Sequence, residues 1–139
     1  MAEPIGELEV GSIGEVAITV DPTMTAAVFA QGEDESFPDV LATPFMIGAM
    51  ERACASLMAP LCALGTLSVG AKVEVAHFAP TPVGAMVRAF GKFAGREGAL
   101  FWFDVWAEDE GGKIGKGRHA RAFAEADAIV AKAEERMKK

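Results

Sequence analysis

Thr43-Pro44-Phe45-Met46-Ile47-Gly48-Ala49-Met50-Glu51-Arg52-Ala53-Cys54-Ala55-Ser56-Leu57-Met58-Ala59-Pro60 is the run that decides the fold. Threonine is a favoured helix N-cap, and proline suits the first helical position, where its missing N–H costs nothing. The spacing therefore predicts a helix that starts at Pro44 behind a Thr43 cap and stops at Pro60. Phe45, Met46, Ile47, Ala49, Met50, Ala53, Cys54, Leu57 and Met58 make it apolar on nearly every face, so other structure must wrap it.

On either side the pattern changes to period two. Upstream, Val16, Ile18 and Val20 alternate with polar or small residues and end at Asp21-Pro22, one strand closed by a turn. Residues 22–42 show no sustained period and contain Gly32, the acidic Glu33-Asp34-Glu35 and Phe37-Pro38, which reads as an irregular lid. Downstream, Val69, Ala71, Val73, Val75 and His77 form one row opposite Lys72 and Glu74, a half-buried strand ending at a histidine.

Turns at Pro80-Thr81-Pro82-Val83-Gly84, Arg96-Glu97-Gly98 and Asp109-Glu110-Gly111-Gly112 separate three further strands. Residues 125–139 read as a polar C-terminal helix. Strands of roughly 10 to 12 residues, against a mean of about 5 to 6, suit a strongly curved sheet. The predicted class is α+β: a long central helix wrapped by a curved antiparallel five-stranded sheet. With 139 residues and no Gly/Ser-rich linker, residues 1–139 are read as a single domain.

Composition removes several functions. A formal charge of −7 makes nucleic acid a poor partner, because phosphate binding needs clustered Lys and Arg. Ala53 to Ala71 carries no charge over 19 positions, but Pro60, Gly65 and three hydroxyl residues make a helix end, loop and strand start a better reading than a membrane span. The start Met1-Ala2-Glu3-Pro4 lacks a signal segment, and Cys54 and Cys62 form no Cys-x-x-Cys pair, so a cytoplasmic protein without disulfides or metal is expected. Met46, Met50, Met58, Phe101, Trp102, Phe103 and Trp106 follow helix and strand periods and read as packing, not as a cofactor box.

Glu51 is the most informative single residue, a carboxylate in the middle of a helix whose neighbours want burial. It needs a partner, and an Arg from another strand would satisfy it structurally. Thr43, Ile47 and Glu51 are spaced by four, so hydroxyl and carboxylate project from one face about two turns apart. His77 ends its strand where the chain leaves the sheet, and an imidazole can accept and return a proton at neutral pH. His119 sits among Lys116, Arg118 and Arg121, a stretch that reads first as a solvated edge and second as a contact for a phosphate.

The residues from Phe37-Pro38-Asp39-Val40-Leu41-Ala42-Thr43 through Glu51 and on to Pro60 resemble the lid and central helix of the fluoroacetyl-coenzyme A thioesterases. The likeness returns at Ser68-Val69-Gly70, Val75-Ala76-His77, Thr81-Pro82 and Gly117-Arg118-His119-Ala120-Arg121-Ala122, spanning about residues 37 to 123. It implies a hotdog fold, a homodimer with sites at its interface, an acyl-CoA substrate and no cofactor beyond the coenzyme A of that substrate. It also implies that Thr43, Glu51 and His77 are catalytic and that Gly70, Arg121 and Phe37 meet the substrate. Asp34 stands where the family's lid carries a second phenylalanine, so a general short-chain acyl group is expected in place of a fluorinated one. Two other hotdog readings stay open: an acyl-thioester sequestering protein, and an enoyl-CoA hydratase. The hydratase would need a His five residues after an Asp, and the residue five after Asp39 is Pro44.

Overall fold

The computed structural model describes residues 2–138. Five strands form one antiparallel sheet: β1 (Ile13–Thr19), β2 (Thr66–His77), β3 (Met86–Glu97), β4 (Leu100–Asp109) and β5 (Gly112–Glu125). Their spatial order is β1-β3-β4-β5-β2, so β1 and β2 are the edges. The helix α1 (Thr43–Met58) lies across the inner face, chiefly against β1 and β3. A second helix, α2 (Ala126–Met137), follows β5 and buries no side chain fully.

The stripe of α1 that meets the sheet is Met46, Ala49, Met50, Ala53, Cys54 and Met58, a 3–4 residue rhythm. It packs on Val87, Ala89, Phe93, Phe103, Val105 and Ala107, the inward alternate residues of β3 and β4. The helix can lie this close because β3 presents no side chain under Cys54. A Cβ at Gly91 would run into the sulfur and backbone of Cys54. The opposite stripe, with Thr43, Pro44, Phe45, Arg52 and Ser56, is exposed, so the wrapping expected from the sequence covers one side of α1 only.

The stretch from Ala53 to Ala71 divides as read from its prolines and glycines, into the end of α1, a short 3-10 turn at Ala59–Leu61, a loop and the start of β2. No helix among the described residues is long and apolar enough to cross a membrane. The lid contains two 3-10 turns, Pro22–Met24 and Ala26–Phe29, and then an exposed stretch to residue 39.

Two expectations are corrected. The helix begins at Thr43, with Ala42 as its N-cap and no side-chain capping bond, so the Thr43 hydroxyl is not a cap. The row from Val69 to His77 is also broken. Gly70 pairs with Arg121 and Lys72 with the adjacent Ala120, which leaves Ala71 as a bulge. A bulge inserts one residue and exchanges the faces on either side of it. Ser68 and Gly70 therefore share the inner face with Val73, Val75 and His77, while Val69 and Ala71 do not.

Cys54 and Cys62 are both free thiols. Burial pushes the Cys54 thiol up to about 12, with Glu51 adding to the rise and Arg121 opposing it. A thiol that holds its proton this firmly is a poor nucleophile. A soluble disulfide reagent at pH 8 should leave Cys54 unmodified in the folded protein and modify it on addition of denaturant, read by mass spectrometry of the labelled chain.

Candidate active site

α1 carries two of the three residues singled out for chemistry, and the structure gives each its own partner. Thr43 is in the first turn. Because the backbone ahead of it already forms the cap, its hydroxyl is available to the end of β2, where its Oγ1 lies 2.7 Å from His77 Nδ1. If the hydroxyl donates, Nδ1 accepts and the ring proton sits on Nε2. His77 Nε2 is itself buried and has no partner among the described residues. An unpaired buried nitrogen calls for an explanation, and a proton-transfer role is one.

Glu51 lies eight residues further on, about 12 Å along the helix axis at 1.5 Å per residue. Its Oε1 accepts from Arg121 Nη1 at 3.0 Å and lies 3.8 Å from His119 Nε2. Its Oε2 accepts nothing from the described residues. The side chain is 37% exposed, so this carboxylate is half-buried and not buried as its helix neighbours led us to expect. The arginine partner foreseen as a structural explanation is Arg121.

His119 and Arg121 overturn the solvated-edge reading of their stretch. They are 1% and 6% exposed, whereas Lys116 and Arg118 face solvent from the other side of β5. Strict alternation along the strand explains both facts. The Arg118 guanidinium covers the Trp102 ring at 4.2 Å on the outer face. Arg121 turns inward, with Nε donating to Ser68 Oγ and Nη2 to the Ser68 carbonyl, each at 3.0 Å.

Gly70, opposite Arg121 in the ladder, completes this cluster. A Cβ there would lie 2.7 Å from Glu51 Oε1 and 3.3 Å from His119 Cε1, so the strand backbone approaches the carboxylate only because the residue is glycine. Burial holds the His119 imidazole below the ordinary 6.5, with Arg121 acting in the same direction and the Lys72 carbonyl and Glu51 against it. On acidification below that value the unfolded chain takes up a proton that the folded chain resists. His119 therefore lowers stability as pH falls from about 6.5 towards its folded value.

The chain thus lines two separate hollows with these residues. Glu51 and Arg121 line a cavity of about 600 Å³ whose other walls include Ile18, Met24, Phe45 and Ala49. Thr43 and His77 line a separate hollow of about 360 Å³ with Leu41, Phe78 and Pro80. Phe37 is 44% exposed, and the lid aromatic that reaches α1 is Phe29, whose ring lies 6.2 Å from that of Phe45. Phe29 was not singled out from the sequence, where it stands in a lid with no sustained period to mark it. Among the described residues no group of His, Cys, Asp and Glu could hold a metal ion.

A family described as fluoroacetyl-CoA-specific thioesterase matches residues 20–127. The fluoroacetyl-CoA thioesterase of Streptantibioticus cattleyicolor is 39% identical over 100 residues, which cover 72% of each chain. A solved structure of the fluoroacetyl-CoA thioesterase FlK superimposes with a TM-score of 0.88 at 32% identity, covering 94% of this chain and 98% of that one. A Thermus thermophilus protein described as a thioesterase superfamily member follows at a TM-score of 0.82 and 27% identity, covering 94% of this chain and 96% of that one. The five-stranded sheet and its helix are a hotdog fold, and the chain belongs to the fluoroacetyl-CoA-specific thioesterase family.

Proposed function

We propose that the protein hydrolyses a small or short-chain acyl-CoA thioester to the free acid and coenzyme A, as a cytoplasmic homodimer. The observation that carries this reading is the half-exposed Glu51. It is anchored through one oxygen, its other oxygen has no partner among the described residues, and the residue lines a largely apolar cavity. Thioester hydrolysis needs an activated water or nucleophile, a proton for the departing thiolate and donors for the carbonyl oxyanion. Glu51 serves as base or nucleophile, the Thr43–His77 pair carries the proton, and backbone N–H groups near Gly70 meet the carbonyl. Arg52, exposed on the rim of the same cavity and in no ion pair with a described residue, supplies a local cation for an anionic coenzyme in a chain of net charge −7.

Two features support the dimer. The edge strand β2 is exposed from Gly70 to Glu74, and long open edges are ordinarily covered or paired. Thr43–His77 and Glu51 also open into different hollows of one protomer, so two-fold pairing that sets the hydroxyl–imidazole pair of one protomer against the carboxylate of the other completes two sites. Asp34, exposed in the lid beside Glu33 and Glu35, makes for a wetter lid than an apolar one and favours tolerance of ordinary acyl groups over fluoroacetyl selectivity.

The test is thiol release from acetyl-, fluoroacetyl-, butyryl-, hexanoyl- and phenylacetyl-CoA. Turnover of any of them establishes the hydrolase and its acyl class. Tight binding of all without turnover replaces it with a sequestering protein. The shared site has its own check. Mixed dimers of Thr43→Ala and Glu51→Ala chains should regain up to about half the wild-type rate, because one of their two sites is intact. Mixed dimers as inactive as either parent would place each site within one protomer.

A further inference from the structure

Behind Glu51 lies a buried group that the reaction scheme above leaves unused. His119 stands on the inner face of β5, flanked across the sheet by Val73 on β2 and Phe103 on β4. Its Nδ1 is 2.7 Å from the carbonyl oxygen of Lys72, the residue that follows the bulged Ala71. A carbonyl can only accept, so Nδ1 carries a proton. In the neutral ring Nε2 then has a lone pair, and it faces Arg121 Nη1 at 3.1 Å, a group that can only donate. The two contacts together select one tautomer of one charge state. The charged groups that face the ring are Arg121 on β5 and Glu51 on α1. β2 contributes the Lys72 carbonyl, and β4 contributes only Phe103.

The consequence falls on the Arg121 guanidinium. Nε and Nη2 are tied to Ser68, and the two hydrogens of Nη1 are divided between Glu51 Oε1 and His119 Nε2. While Nε2 accepts one of them, Arg121 meets Glu51 through a single oxygen. Remove that acceptor and the second Nη1 hydrogen is left unpaired in a buried place, and the guanidinium can swing a second nitrogen away from Ser68 towards Glu51 Oε2. A guanidinium that presents two nitrogens to the two oxygens forms the stronger, forked pair. It would stabilise the ionised carboxylate and weaken it as a base.

We propose that His119 is a positioning residue: as the neutral Nδ1–H tautomer it holds Arg121 in one-oxygen contact with Glu51 and so keeps Glu51 Oε2 available to a water or an acyl carbon. This rests on the thioesterase reading for Glu51. His119 touches no substrate and acts only through Arg121.

Two amides separate its two hydrogen bonds. His119→Asn can place an N–H where Nδ1 was and donate to Lys72, but it offers Arg121 nothing. His119→Gln can place a carbonyl oxygen where Nε2 was and accept from Arg121. His119→Gln should keep kcat within about threefold of wild type. His119→Asn should lose about tenfold or more in kcat, with KM within about twofold and the acidic limb of its rate profile moved to lower pH. Melting temperatures are measured alongside. Equal losses in both variants that track their stability, or a wild-type kcat in His119→Asn, would overturn the proposal.

A wild type that releases thiol from no acyl-CoA would instead sink the hydrolase reading. The positioning geometry is then read without turnover, from the ¹⁵N resonances of the imidazole at pH 7 to 8. A protonated Nδ1 with an unprotonated Nε2 supports it, and the opposite tautomer, or a doubly protonated ring, overturns it.

Discussion

Glu51→Ala should lower thiol release from whichever acyl-CoA the protein turns over by about 10²- to 10⁴-fold, the range in which positioned acid–base groups act. The geometry makes the loss specific to chemistry. Arg121 keeps both of its contacts to Ser68 when the carboxylate is removed, so β5 and β2 stay joined at this point. The ion pair that disappears is 37% exposed on its Glu51 side and screened accordingly, so its loss costs about 1–3 kcal/mol, a shift in melting that leaves the fold intact. Glu51→Gln sharpens the test. The amide oxygen still accepts from Arg121 and fills the same volume beneath Gly70, but it is no base. Initial rates and thermal melts on the same preparations decide the matter. A Gln variant within about threefold of wild type would remove Glu51 from the base role and leave it as an anchor for Arg121.

The main elements were legible because each rests on a local signal. Pro44 and Pro60 bracket α1, Gly98 lies in the β3–β4 turn and Gly111 in the β4–β5 turn, and the apolar run between the prolines needs a sheet beside it. The bulge at Ala71 left little trace, since small and β-branched residues alternate smoothly across it, and only Gly70 marks the spot. Thr43 shows how a local preference is overridden. Threonine caps helices well, but the hydroxyl gains a partner in His77, 34 residues away, and the backbone starts the helix without it. His119 and Arg121 were misread for a related reason. Their alternation put them on one face, but their polarity suggested solvent, and the partners that satisfy them in the interior, Glu51 on α1 with Ser68 and the Lys72 carbonyl on β2, are announced by no local pattern in β5. A polar residue on a strand's inward row, with glycine at 115 and 117 on that same row, is the cue that could have found them.

His77→Ala should be the other severe lesion, with a loss of about 10²-fold or more in kcat. Its Nδ1 contact to Thr43 is the only hydrogen bond that either side chain makes among the described residues, and its Nε2 is buried without a partner. Deleting the ring therefore removes no network that stabilises the fold, and the melting temperature should move little. Thr43→Ala alone leaves Nδ1 without its hydroxyl and should also be impaired, whereas Thr43→Ser retains the oxygen and should retain most activity. The two residues act on one proton, so their effects should not add. The Thr43→Ala, His77→Ala double variant should be no slower than His77→Ala alone, within about threefold, where independent roles would multiply the two losses. Multiplied losses would separate the hydroxyl from the imidazole and assign Thr43 to substrate orientation; equal rates for single and double variants would make the 2.7 Å contact the functional unit at this end of the site.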